Sequence, residues 1–140
     1  MLIDQIKTAN IEALKAKDTV ARGVLSVVSN KYKLQEVELK AAGKEIGDKE
    51  MLAIIQKTLK ELADEKEGYL KVNSAERANA IARQEEILSA YLPKQLSEDE
   101  IRSIISSLED KSVPSVMKHF KTNYAGQVDM SLVNSVLRSL

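Results

Sequence analysis

The 140-residue sequence predicts an all-α protein, and three observations carry that expectation. Apolar residues recur at three-and-four spacing along most of the chain, the period of an amphipathic helix. Only five Gly and two Pro punctuate it, so long stretches contain nothing that interrupts a helix. With aromatic residues at 4% and Trp absent, the core has to come from Leu, Ile, Val, Ala and Met, as in helical bundles.

Four longer helices are expected in the first two-thirds of the chain. The first runs from Leu2 to Lys17, with apolar residues at 2, 3, 6, 9, 13 and 14. Asp18 and Thr19 then cap a second, which carries Val20, Val24, Val27, Val28 and Tyr32 on one side and reaches Ala42, where Gly43 offers a stop. Asp48 is the expected N-cap of the third. Its apolar stripe comprises Met51, Leu52, Ile55, Leu59, Leu62 and Ala63, and its end falls near Gly68. Asn73 or Ser74, with Glu76 behind, starts a fourth that turns Ala78, Ile81, Ala82, Leu88 and Leu92 inward. Pro93 bounds it, because the residue before a proline avoids helical geometry.

Leu92-Pro93-Lys94-Gln95-Leu96 is the expected domain boundary, giving an N-terminal helical domain over 1–92 and a three-helix domain over 93–140. The fifth helix has the most explicit start in the sequence. Ser97 and Glu100 form a capping box, Glu98, Asp99 and Glu100 suit the positive end of the helix dipole, and Leu96 and Ile101 are spaced as a hydrophobic staple. Pro114 fits the first turn of the sixth, whose Val113, Val116, Met117, Phe120 and Tyr124 share a face. After Gly126, Asp129 caps the seventh, which buries Leu132, Val133, Val136, Leu137 and Leu140, with Val128 and Val133 as a second staple. Three helices this short depend on packing together.

Composition removes several function classes. Without cysteine there is no disulfide, thiolate metal site or cysteine nucleophile. One histidine, His119, cannot build a multi-histidine metal cluster within a chain. No P-loop or dinucleotide fingerprint occurs, and no serine sits in a nucleophile elbow, so neither a cofactor nor a catalytic residue is expected. Met1-Leu2-Ile3-Asp4 lacks the pattern of a signal peptide, and no apolar run approaches the roughly 20 residues that span a bilayer. A cytoplasmic protein without a membrane partner is expected. The formal net charge is zero, from 21 basic and 21 acidic residues, which argues against binding nucleic acid by bulk charge. From Lys111 onward, however, Lys111, Lys118, Lys121 and Arg138 face only Asp129.

Several stretches carry a likeness to a known family. Tyr91-Leu92-Pro93-Lys94-Gln95-Leu96-Ser97-Glu98-Asp99-Glu100-Ile101 resembles the junction of the YqeY-like proteins. Val116-Met117-Lys118, Gly126-Gln127-Val128-Asp129, Leu132-Val133 and Leu137 resemble their C-terminal pattern. Ile6-Lys7, Ala13, Lys17-Asp18, Arg22 and the helix start at Asp48 are similar as well. The chain departs from the family in carrying Pro114-Ser115 where glycine is frequent. The resemblance implies a C-terminal domain similar to the tail of the B subunit of tRNA-dependent amidotransferases, a tRNA-binding appendage remote from the chemistry.

Lys118 and Lys121 project beside each other on the sixth helix, off its apolar stripe. With Lys111 and Arg138 they form the candidate phosphate-contacting set, and His119 is a candidate helper by stacking or phosphate contact. The competing view is a solvated surface with slight positive bias. The acid clusters Asp64-Glu65-Glu67, Glu85-Glu86 and Glu98-Asp99-Glu100 are read as helix-surface pairing and capping. Expected partners are therefore tRNA or another structured RNA, or alternatively a protein of an amidotransferase or aminoacyl-tRNA complex; the oligomeric state stays open. A carbon–nitrogen ligase acting on glutamine amide nitrogen ranks third, by family association alone.

Overall fold

Seven α-helices make up the computed structural model, which describes residues 1–140 and divides into two compact units, Met1–Tyr91 and Leu92–Leu140. The first unit contains α1 (Leu2–Lys15), α2 (Thr19–Ala41), α3 (Asp48–Lys71) and α4 (Ala75–Ser89). The second contains α5 (Glu98–Ser107), α6 (Val113–Asn123) and α7 (Met130–Ser139). No helix is long and apolar enough to cross a membrane.

In the first unit the ends of α1, α2 and α3 follow one backbone device. After α2, Gly43 adopts φ +73°, its N–H bonds the Lys40 carbonyl, and the Lys44 N–H reaches back to Leu39 at 2.7 Å. This is a Schellman ending, which satisfies carbonyls that the helix itself cannot. Lys17 after α1 and Asn73 after α3 hold the same left-handed position, both at φ +57°, with Asp18 N–H bonding Ala13 O and Ser74 N–H bonding Tyr69 O. Asn tolerates that region well, whereas Lys carries a steric cost of roughly 1 kcal/mol.

The core of this unit gathers Ile3, Ile6 and Ala13 of α1, Val24, Leu25 and Val28 of α2, Met51 and Ile55 of α3, and Ile81 and Leu88 of α4. Polar ties brace the packed helices. Lys31 donates to Thr58 Oγ1 at 3.1 Å and to Glu61 at 3.0 Å, joining α2 to α3. Lys66 and Glu85 pair at 2.6 Å between α3 and α4. Arg83 of α4 forms a two-pronged pair with Asp18, and Gln84 donates to the Val20 carbonyl at 2.9 Å. Asp18 also accepts from Ala21 N–H as the α2 cap, so the arginine beside it and that amide hold its carboxyl below the ordinary range.

Several sequence expectations are corrected here, among them Ala63, which is exposed on α3. Asp48 does not cap α3; Gly47 occupies the N-cap position, its N–H donates to Glu50 at 2.8 Å, and Asp48 instead accepts from Leu2 N–H at 2.9 Å. That helix also runs through Gly68 to Lys71. Val27 lies outside the core of α2, where Ala21, Leu25 and Ser29 are buried in its stead. Val113 and Leu140, assigned to inner faces, are both more than half exposed.

The second unit closes on one small core: Ile101 and Ile105 of α5, Val116 and Phe120 of α6, and Val128, Val133 and Val136 at and within α7. Its entry segment is stitched to the α6–α7 turn. Leu96 N–H bonds Gln127 O at 2.7 Å, and the Gln95 amide donates to Gly126 O at 2.7 Å and to Pro93 O at 2.9 Å. Gly126 takes φ +77° there, a conformation that suits glycine.

Candidate nucleic-acid interface

Helix α6 begins where the chain leaves α5 through Glu109, Asp110 and Lys111. Asp110 organises this turn: it accepts Ser112 N–H at 2.9 Å and Ser115 Oγ–H at 2.7 Å. These bonds favour the carboxylate and hold its pKa down at about 2, the Ser115 hydroxyl contributing most. Lys111, beside it, donates Nζ to the Leu108 carbonyl at 2.7 Å, satisfying a free carbonyl at the end of α5. Its ammonium thus has a local structural task.

Lys118 and Lys121 stand on the opposite side of α6 from its core residues. Val116 and Phe120 are fully buried; at about 100° per residue, Lys118 and Lys121 fall roughly 100–160° away from Phe120 and within about 60° of each other. Both are exposed. Neither forms an ion pair; on α5, Arg102 bonds Glu98 and Asp99, each at 3.1 Å. Arg138, in the last turn of α7, is likewise exposed and unpaired.

His119 sits on the flank of α6, half-buried. Its ring meets Phe120 edge-on at 5.9 Å between centroids and lies 6.0 Å from Tyr124. Asn123 donates its side-chain amide toward His119 Nδ1 at 3.2 Å and to the His119 carbonyl at 3.1 Å. The ring is therefore positioned by α6 itself, beside an aromatic cluster.

Charge in the second unit is segregated. Residues 92–110 hold Lys94 and Arg102 against Glu98, Asp99, Glu100, Glu109 and Asp110, while residues 111–140 hold Lys111, Lys118, Lys121 and Arg138 against Asp129. The unit as a whole is neutral, and its positive balance belongs to α6, α7 and the turn before them. Asp110 escapes a reading by sequence alone, although its spacing to Ser112 and Ser115 is the signal of a side chain folding back on a helix start. No group of three or more His, Cys, Asp or Glu side chains is placed to hold a metal ion.

The family model described as Yqey-like protein matches residues 3–140. No curated protein matches the chain.

Proposed function

Since the chain belongs to the YqeY-like family, we propose that it is a non-catalytic accessory protein that holds structured RNA, tRNA foremost, through its C-terminal unit. In this reading 1–92 and 93–140 are separate domains, working in the cytoplasm. The observation that carries it is the pair Lys118 and Lys121, exposed, adjacent and without a carboxylate partner on the outer face of α6. Arg138 adds a third free cation, and Lys111 contributes field more than contact because its ammonium is bound to Leu108. Phosphate contacts of this kind position an RNA without reading its sequence. The resemblance of the tail to the amidotransferase B-subunit appendage supports the same choice of ligand.

Filter binding of tRNA across a salt series tests it. Affinity is expected to fall with salt, and Lys118→Glu with Lys121→Glu is expected to weaken binding by at least about tenfold and reduce the salt slope by about 2. The charge reversals lie on exposed positions, so the circular dichroism spectrum should not change. Absence of binding at low salt, or binding indifferent to the double variant, refutes the proposal. A partner retained from lysate after nuclease treatment and lost on deleting 93–140 would instead support the protein-interaction reading.

A further inference from the structure

The outward side of α2 carries a second apolar stripe that the fold leaves uncovered. Val27 is 43% exposed, and Leu34 and Val37 are each 68% exposed. With Asn30 and Ala41, also exposed, they recur at 27, 30, 34, 37 and 41. That is alternating three-and-four spacing, the a and d positions of a heptad. The inner residues of the same helix, Ala21, Val24, Leu25, Val28 and Tyr32, project to the far side of the cylinder. Scattered exposed apolar residues are ordinary, but a continuous seam along one helix is not.

We infer that α2 pairs in parallel with α2 of a second copy of this chain. The flanking charges select that occupant and that direction. In the frame with Val27 and Leu34 at a, Lys33 is at g and Glu38 at the following e. Parallel two-stranded coils place g of one strand beside that e of the other, so two copies form two symmetric Lys33–Glu38 pairs. Neither residue forms an ion pair within its own chain, although nearby Lys40 pairs with Glu36 at 3.9 Å and Lys31 with Glu61.

Asn30 points the same way. Parallel alignment sets Asn30, at d, against its own copy, where each side-chain amide donates to the carbonyl oxygen of the other. An antiparallel pairing that opposes Leu34 with Val37 sets Asn30 against Ala41 and leaves the amide without a partner, a cost that disfavours that alignment. The helix is already held by its inner-face packing, so association need not pay for folding it. Lys118, Lys121 and Arg138 take no part, and the inference stands independently of RNA binding.

Sedimentation equilibrium on the full chain, with Leu34→Glu and Val37→Cys, tests the pairing. The mass is expected to approach twice that of one chain as concentration rises, and Leu34→Glu is expected to weaken association by at least about 100-fold while leaving helicity unchanged. The chain has no cysteine, so Val37→Cys offers a single thiol; mild oxidation should cross-link it to its own copy, because parallel pairing brings the two Cα atoms within the roughly 4.4–6.8 Å a disulfide needs. A chain monomeric to about 1 mM, which leaves the stripe to a foreign helix, overturns the inference. So do a dimer indifferent to Leu34→Glu, a dimer in which Val37→Cys does not cross-link, and an assembly larger than two.

Discussion

In the first unit one helix start of four carries a side-chain cap at its N-cap residue, whereas in the second two of three do. Among α1 to α4, only Asp18 of α2 accepts a backbone N–H from its own helix start as a cap. In the second unit Ser97 and Glu100 exchange bonds at 3.2 Å in both directions, Asp110 holds Ser112 and Ser115, and Asp129 accepts Ser131 N–H at 2.9 Å. Length accounts for the contrast in burial more than in capping, since the capped α2 has 23 residues and the uncapped α6 has 11. Helices of 23 and 24 residues, α2 and α3, spread their nucleation cost over many turns and bury long faces. Helices of 10 and 11 residues do neither, so they draw on caps and on a single shared core.

That account makes the small core the point of greatest sensitivity. Phe120 is its largest fully buried side chain. Phe120→Ala should cost about 3–5 kcal/mol, most of what a unit of about 50 residues holds. Hydrogen exchange should then show protection lost across α5, α6 and α7 while the amides of α2 and α3 keep theirs. Equal loss in both units would mean that they unfold together, and the comparison between them would fail.

A smaller effect separates the two kinds of helix start. Ser97→Ala removes the acceptor for Glu100 N–H and is expected to destabilise the second unit by about 1 kcal/mol. Ser74, at the start of α4, makes no side-chain cap bond, so Ser74→Ala should stay within about 0.5 kcal/mol. Urea midpoints of the two variants measure this directly. Equal shifts would show that the geometry at Ser97 adds nothing to stability.

The same division governs how far the structure can be read from the sequence. Starts written in side chains were legible: the Ser97 and Glu100 box, Asp18, Pro114 and Asp129 all mark helix beginnings that the structure contains. Features written in backbone were not. Nothing in Lys17 announces a left-handed residue, and the third helix passes the exposed Gly68 to end at Lys71. On α2 two apolar stripes share one helical period, so spacing alone placed Val27 with Val24 and Val28. Only packing against α1, α3 and α4 decides which stripe is inside. At the candidate interface, the exposure of Lys118 and Lys121 followed from projection. The use of Lys111 on Leu108 O depends on the loop conformation that Asp110 sets, and a list of charges does not contain it.

Acid titration gives the finest test of the contrast. Asp110 is held at about 2, below its ordinary 3.8, by the Ser115 hydroxyl and the Ser112 N–H, and Asp18 is lowered by Arg83 foremost. A depressed carboxyl binds fewer protons folded than unfolded, so its contribution is fully present above the unfolded value and is lost as pH falls toward the folded one. For Asp110 the loss falls between about pH 4 and pH 2. Asp110→Asn should therefore flatten part of the decline in the second unit's melting temperature across that window, with Glu100, also lowered by its bonds to Ser97, supplying some of what remains. Salt then distinguishes the units. The hydrogen bond from Arg83 is the largest cause at Asp18, and the smaller coulombic part that the same arginine adds should shrink as salt shortens the Debye length to about 3 Å near 1 M. Asp110 is held by neutral donors at hydrogen-bond distance, which mobile ions screen little. A decline in the second unit that vanishes in high salt would show that Asp110 responds to distant cations such as Lys111, and not to the hydroxyl and amide that surround it.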